Sequence, residues 1–437
     1  MTKTKDYSWM TKNKLMTYTF VALIVLIGVS ALSWWPTSII ISVIAVGIAI
    51  ALDYLASLVM KARSPRDTMS AAVFGLIVAL SYSLGQPRSY NFEVLPLIAP
   101  EAYYYVAVIS ALGMVLLKKG QSLLGRKYVN PAAAAKFLVI FPFLNTIFLA
   151  KDHFANSVAG NLGIPSLAGP IGYSGPTSFA FYLQSSFANS INFTPFDVYY
   201  SLLVQKLHGW VGGASSLAVI IVGVVFFVAC RQFIKWRITL SYLASVSVMA
   251  LILTGVYGGD ALLRLGFELF IGSSIFLAFF MATDPATTPL TYLGQGIFGV
   301  GLGVLTVLIQ TFMNFFGGAI LALPIMNLTA PLLDRVGLRK PTQEKRNIRL
   351  PKSRQFSDVT VRACIRCGEC MVSCCHNLSP ILIKEAFDKK NTDRVSKLRA
   401  ELCTGCGNCN YVCPSRIDLR RSVLIAKGSL RPKQPLK

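Results

Sequence analysis

The sequence predicts an all-α polytopic membrane protein of about ten transmembrane helices, some of them broken, followed by a small cysteine-rich C-terminal domain. Three observations predict it. The chain has 437 residues, 54% of them hydrophobic and only 14% charged, where a soluble domain carries about 25% charged residues. Long apolar runs, most of them close to the ~20 residues a helix needs to cross a bilayer, recur up to residue 333. Nine of the ten cysteines then crowd into the last hundred residues.

The apolar runs lie at about 15–35, 38–60, 69–86, 100–117, 132–150, 214–230, 238–257, 265–283, 294–311 and 317–333. The first follows a basic N-terminus, MTKTKDYSWMTKNK, as a secretory signal would. It lacks a small-residue cleavage site and is long enough to span, so a retained helix is expected. Loops on the N-terminal side of the bilayer carry fourteen Lys and Arg residues, from Lys3 to Arg237, and the opposite loops only Arg88, Lys151, Lys206 and Arg264. Cytosolic loops are the basic ones. Both termini and the cysteine-rich domain are therefore expected in the cytosol of a prokaryotic cell, with the body in its cytoplasmic membrane. Segment 151–213 is expected outside. It is longer than an ordinary connection and rich in Gly, Ser, Pro and aromatic residues, so it should fold against the membrane body. Three charged residues fall inside spans: Asp53, Lys136 and Glu268. Asp53 and Lys136 lie near cytosolic ends, where they can snorkel or pair, and Glu268 is one helical turn from Arg264.

Residues 1–335 form the membrane body. A basic linker with Pro341 and Pro351 follows over about 336–358, then a cysteine-rich domain at 359–425 and a basic tail at 426–437. Residues 335–437 hold 23 Lys and Arg against 8 Asp and Glu, so +15 of the net +23 lies here. Nucleic-acid binding is the first reading of so basic a segment. No nucleic-acid motif accompanies the charge, and proximity to a bilayer and to anionic cofactors accounts for it better.

The cysteines read Cys364-x2-Cys367-x2-Cys370-x3-Cys374 and Cys403-x2-Cys406-x2-Cys409-x3-Cys413-Pro414. This is the spacing that wraps a pair of [4Fe–4S] clusters, and in two-cluster proteins the fourth Cys of each run serves the other cluster. Cluster one is therefore expected on Cys364, Cys367, Cys370 and Cys413, and cluster two on Cys403, Cys406, Cys409 and Cys374. Gly368, Gly405 and Gly407 should let the backbone turn closely around them. Paired zinc sites are the alternative, but a complete quartet found twice is more specific than C-x2-C pairs. Cys375 and His376 stand where the common pattern has Pro. Cys375 is read as a small buried thiol, with a role as alternative ligand as the competing possibility, and Cys230 as packing.

Residues 363–425, with ACIRCGEC and LCTGCGNCNYVCPSRIDL, resemble the iron–sulfur portion of the RnfC subunit of Rnf electron-transfer complexes. No Gly-rich dinucleotide fingerprint is present, so any NADH site is expected on another chain. The body carries Val129-Asn130-Pro131-Ala132, Phe280-Met281-Ala282-Thr283-Asp284-Pro285-Ala286-Thr287, and Met326-Asn327 with Ala330-Pro331-Leu332-Leu333-Asp334-Arg335. On these stretches it resembles the NqrB/RnfD family of flavin-carrying membrane subunits. The resemblance implies a bundle of two similar halves with broken helices, which the Pro and Gly content near 131, 285 and 324 suits. It also implies FMN joined through its phosphate to a threonine outside the membrane, placed there by a flavin transferase. The matching stretch is Ser174-Gly175-Pro176-Thr177, so Thr177 would carry the FMN. Pro176 and Ile171 depart from the family pattern, and Gly213 and Gly317 stand where the family often has acids linked to ion movement.

The function expected is electron transfer between cytosolic [4Fe–4S] clusters and an extracytosolic FMN, in a complex with other subunits and a soluble or quinone donor or acceptor. A hydrocarbon core of about 30 Å is too wide for one fast hop, so an intermediate centre is expected, either a second flavin in the bundle or a cluster on a partner. The alternatives are an ion transporter or channel whose tail senses redox state, and a quinone-reductase membrane subunit.

Overall fold

The computed structural model describes residues 11–60, 67–82, 101–124, 127–141, 203–204, 211–257, 261–270, 272–312, 317–337 and 363–430. Each of the ten apolar runs contains a helix. Ten full-length spans are not found among the described residues, however. There, six helices are long and apolar enough to cross a membrane, within Lys12–Leu32, Thr37–Val59, Tyr103–Leu123, Trp236–Val256, Tyr292–Thr311 and Gly318–Val336. A seventh candidate is a bent pair, Arg264–Phe270 and Ser274–Met281, meeting at 59°. The runs at 69–86, 132–150 and 214–230 hold the shorter helices Thr68–Leu80, Pro131–Ile140 and Ser216–Ala229. Hydropathy counts apolar residues and does not see where the backbone stops being helical.

In chain order the body consists of α1 (Lys12–Trp34), α2 (Thr37–Met60), α3 (Thr68–Leu80), α4 (Glu101–Leu112), α5 (Pro131–Ile140), α6 (Ser216–Ala229), α7 (Trp236–Tyr257), α8 (Ala261–Phe270), α9 (Tyr292–Phe312) and α10 (Gly318–Gly337). The caps explain the starts. Thr11, Asp67, Asn130 and Ser215 each accept from a backbone N–H in the first turn that follows, which satisfies donors left open at a helix start. Outward positions are apolar: Leu32 is 86% exposed, Val59 83% and Val228 74%, a surface suited to lipid rather than water. Inward crossings are close. A Cβ on Gly75 would meet Val46 Cα of α2 at 2.7 Å, and one on Gly303 would meet Ser245 Cβ of α7 at 2.8 Å. Small residues at such crossings let helix backbones approach where no hydrophobic force drives them together.

Two π-helical stretches interrupt the body, Gly113–Lys119 after α4 and Leu277–Met281 after the short helix Ser274–Phe276. Each precedes an X-Pro-Ala turn. Asn130 Oδ1 accepts from the N–H of Ala132, and Asp284 Oδ1 from that of Ala286, at 3.1 and 3.0 Å. The chain thus breaks near 131 and 285, as expected. Near 324 it does not: α10 carries both Pro324 and Pro331 inside one continuous helix.

One face of the bundle gathers the basic residues. Lys119 pairs with Asp53 at 2.6 Å, Asp53 accepts from the Asp67 N–H at 3.0 Å, and Lys12 pairs with Asp67. Lys136 neither snorkels nor pairs with a carboxylate. It is 1% exposed, donates to the Ser81 carbonyl and lies 5.6 Å over the Tyr82 ring. Its stem points into the bundle from α5, so the carbonyl at the end of α3 takes the place of water.

The C-terminal domain is a small helical repeat, with no β-strand among the described residues. It holds α11 (Glu369–Val372), α12 (Pro380–Asp388), α13 (Thr392–Lys397), α14 (Asn408–Tyr411) and α15 (Leu419–Ser429). Left-handed residues recur 39 positions apart: Arg366 and Gly405, Gly368 and Gly407, Asn377 and Arg416. The domain sits on the basic face of the bundle. The Lys12 N–H donates to the Pro414 carbonyl at 3.1 Å. Arg366, 4% exposed, pairs with Asp334 at 2.8 Å and with Glu385 of its own domain. Asp334 also accepts from the Leu290 N–H at 2.7 Å. Leu290 packs into the C-terminal core with Cys370, Met371 and Ile381, while Ile365 packs into the core of the bundle.

Removing one partner of a buried ion pair leaves the other charge uncompensated, at a cost of about 3–5 kcal/mol. Asp334→Asn is expected to loosen the C-terminal domain by this order, seen as faster hydrogen exchange at 284–290 and 365–371. The double change Asp334→Asn with Arg366→Met should restore part of the loss.

Candidate metal centre and its contact with the membrane body

Each cysteine quartet is built on the same local frame. A left-handed glycine leads into a four-residue helix; the second cysteine of the run precedes that glycine and the third lies in the helix. Gly368 and Gly407 adopt φ +82° and +89°, where a side chain would be strained. Arg366 holds φ +52° at the position where the second repeat has Gly405. That strained residue is the one that reaches the membrane body, and its repeat partner has no such task.

The fold brings the eight thiols together in two groups. Cys364, Cys367, Cys370 and Cys413 lie near enough to raise one another's pKa. Cys374, Cys403, Cys406 and Cys409 line a second, mostly apolar recess with Gly405 and Gly407, and they bear on one another in the same way. The fourth cysteine of each run has crossed to the other group. Cys409 also bears on Cys370, so the two groups adjoin. Backbone N–H groups point at sulfur: Arg366 to Cys364 at 3.3 Å and Ile417 to Cys413 at 3.4 Å. Such bonds help set the potential of an iron–sulfur centre.

This donor set fits a pair of [4Fe–4S] clusters. Burial pushes the thiol of Cys364 up to about 11 and that of Cys409 to about 12, and raises Cys367 and Cys370 as well. Burial thus opposes ionisation of the free thiols, and ligation by iron must displace their protons. Loading is favoured as pH rises, and acid should expel the iron. Among the described residues no three His, Cys, Asp or Glu groups converge as one ion requires. A zinc site needs its sulfurs about 2.3 Å from a single metal, whereas a cube takes one thiol at each of four separate corners.

Cys375 differs from expectation. It is exposed, with its sulfur 3.8 Å from that of Cys406, because the turn after Cys374 carries residues 375–377 to the surface, where His376 meets the Thr404 hydroxyl at 3.2 Å. Cys230 is buried at the end of α6, as packing requires. Ser174, Gly175 and Thr177, and most of segment 151–213, lie outside the described residues.

Beneath the first thiol group lies Lys235, 4% exposed in the turn before α7. Its ammonium donates to the Pro285 carbonyl at 2.9 Å, the Thr288 carbonyl at 3.0 Å and the Thr288 hydroxyl at 2.9 Å. The Thr283–Thr288 turn is thus folded around one buried ammonium. Burial pulls Lys235 down to about 7, Arg366 adds to this, and Asp334, Asp284 and Cys367 oppose it. Net negative charge on the neighbouring sulfurs would restore the proton. Sequence reasoning missed Lys235, counting it only as a loop cation. It also missed the role of Arg366, for which an arginine aligned with Gly405 is the only signal.

On its other side the same turn lines a cavity of about 120 Å³ within the bundle. The two X-Pro-Ala turns meet there, with Asn130, Pro131, Asp284 and Pro285 beside Lys118, Lys127, Phe74, Phe226 and Phe280. Two of the three family-like stretches, at 129–132 and 280–287, therefore build one place, and Asp334 of the third holds Arg366 beside it.

Residues 7–343 match a family model described as NQR2, RnfD, RnfE family. The chain belongs to that family. Residues 363–417 match a 4Fe-4S dicluster domain, so the family body carries an iron–sulfur module at its C-terminal side. Among curated relatives, the chain is 30% identical over 253 residues to a subunit of the ion-translocating oxidoreductase complex of Shewanella amazonensis, covering 55% of this chain and 71% of that one. It is 25% identical over 289 residues to a subunit of the Na(+)-translocating ferredoxin:NAD(+) oxidoreductase complex of Acetobacterium woodii, covering 66% and 77%. It is 28% identical over 238 residues to a subunit of the Na(+)-translocating NADH-quinone reductase of Ectopseudomonas mendocina, covering about half of each chain.

The crossed grouping has a direct test. Cys374→Ser is expected to remove the electron paramagnetic resonance signal of the cluster on Cys403, Cys406 and Cys409 and to leave the other. Cys413→Ser is expected to do the reverse. Each change should cost about half of the bound iron if each cluster depends on four thiols.

Proposed function

We propose that this chain is an electron-transfer subunit of an ion-translocating membrane oxidoreductase complex, linking two [4Fe–4S] clusters on the cytosolic face to a covalent FMN on the opposite face. One observation carries the reading. The cysteine module is clamped on the membrane body, with the group of Cys364, Cys367, Cys370 and Cys413 turned towards the Lys235 turn. Bound [4Fe–4S] clusters supply one-electron transfer. The ligands are Cys364, Cys367, Cys370 and Cys413 for one and Cys403, Cys406, Cys409 and Cys374 for the other.

The residues around them do the rest. Arg366, Asp334 and Leu290 hold the inner group in place. Leu290 excludes water from the contact, lying 3.8 Å from where a Cβ of Gly368 would be. Lys235 holds positive charge beside Cys367, which favours the reduced state there. The outer group, with exposed Cys375 and Thr404 beside it, is the side on which a soluble donor or acceptor meets the chain. The basic face lies in the cytosol, in keeping with the charge rule, and Thr177 lies on the far side.

The cavity between the two X-Pro-Ala turns is where an intermediate centre is placed in this scheme; at about 120 Å³ it would have to widen to admit a whole ring system. Aromatic and apolar walls with a few charged groups suit a planar, partly polar ring system. A second flavin is the reading that follows; a quinone has the same chemical needs, and the cavity favours the quinone-reductase alternative to that extent. Other subunits supply the nucleotide site and the remaining centres, and a flavin transferase attaches the FMN.

The decisive measurement is in-gel flavin fluorescence of the denatured chain, produced together with its flavin transferase. Fluorescence that survives denaturation and disappears in Thr177→Ala is the expected result. A dark wild-type band would remove the covalent FMN from the scheme. In the native chain, more than one flavin per pair of clusters places the intermediate centre in the bundle, and a single flavin places it on a partner.

A further inference from the structure

Glu268 lies on α8, the first arm of the bent span, and is 5% exposed. Its Oε1 accepts from the Thr311 hydroxyl at 3.1 Å. Its Oε2 is buried and has no hydrogen-bond partner among the described residues. Burying a carboxyl in a membrane costs about 3 kcal/mol on insertion scales, and such groups face interior pathways. A charged carboxylate would leave Oε2 unsatisfied at further cost. The neighbourhood is a chain of polar side chains. The Gln310 amide donates to the Ser274 hydroxyl at 3.2 Å, and Tyr242 is buried beside Ser274 and Thr306. Two charged or titratable groups bear on Glu268: Arg264 from its own helix and Tyr242 from α7. The bend between Phe270 and Ser274 interrupts the span next to this chain, as broken helices do at cation sites in transporters. Thr311 is at the end of α9 remote from the docked cysteines, so Glu268 belongs to the far half of the bundle.

We propose that Glu268 is a proton-binding site in the membrane body, taking up and releasing one proton at its carboxyl as the complex translocates ions. No bond other than the carboxyl O–H forms or breaks. A metal cation would need a shell of several oxygens. Thr311 is the one hydrogen-bond partner of Glu268 among the described side chains, and a proton needs only the carboxyl. Among the described residues Glu268 is the buried membrane acid remote from the docked face. The proposal rests on the electron-transfer reading above for its role, but its chemistry can be tested without turnover.

The test uses native membranes holding the whole complex, treated with dicyclohexylcarbodiimide, which modifies protonated carboxyls in apolar surroundings. Peptide mass spectrometry should find the adduct on Glu268, decreasing as pH rises and unchanged by sodium. No adduct at any pH would mean a carboxylate held permanently in an ion pair with Arg264 and would overturn the proposal. Protection by sodium would overturn it too, in favour of a metal cation. In vesicles, Glu268→Gln should abolish proton movement while cluster reduction and flavin reduction continue, and Glu268→Asp should retain part of it. Full proton movement in Glu268→Gln sinks the proposal. Failure of cluster-to-flavin transfer in the wild type counts against the electron-transfer reading instead. If Glu268→Gln does not assemble, the labelling of wild type decides.

Discussion

The arrangement depends on a buried ion pair, Arg366 with Asp334. A guanidinium 4% exposed and a carboxylate 1% exposed would be costly apart, since each is removed from water. Together they hold a cysteine domain against a membrane bundle, through side chains that come from two different units of the chain. Asp334 does a second task by accepting from the Leu290 N–H, so the residue that receives Arg366 also fixes the turn that enters the cysteine core. Specificity is the larger consequence. Among the described residues, the thiol group beside Arg366 is the one that meets the body, and this gives the module an inner and an outer end.

The 283–290 turn connects the two sites. One side wraps the Lys235 ammonium next to Cys367, and the other lines the cavity that Asn130 and Asp284 share. Its conformation follows from ordinary local chemistry: a π-helical stretch, an Asp accepting from the N–H two residues on, and a proline that cannot continue the helix. The same devices recur at Asn130–Ala132. Two copies of one turn, brought together by packing, make a site that neither would make alone.

Electrostatics in the membrane body follow a consistent rule. At the docked face Lys119 is met by Asp53 and Lys12 by Asp67, and Lys235 by the Pro285 and Thr288 carbonyls. In the interior, Lys136 has only a carbonyl and an aromatic face. Glu268 stands apart, with one hydroxyl and an unpartnered oxygen. Among the buried carboxylates of the described residues it is the one with an unpartnered oxygen, and it lies beside a broken helix.

The cysteine spacing by itself determined the iron–sulfur module, because thiolate ligands at two-residue gaps are a local property of the chain. Apolar runs likewise determined a membrane body, since crossing a bilayer is a matter of length and composition. Helix lengths were less legible: hydropathy predicts ten spans, whereas among the described residues six helices are long enough to cross and the runs at 69–86, 132–150 and 214–230 hold shorter ones. Burial was illegible where the turn geometry decided it, so Cys375 came out exposed and Lys136 turned inward. The meeting of Arg366 with Asp334, the wrapping of Lys235 and the joining of the two X-Pro-Ala turns were decided only by the tertiary structure. Each joins residues tens of positions apart, and no local pattern records which buried charge will find which partner.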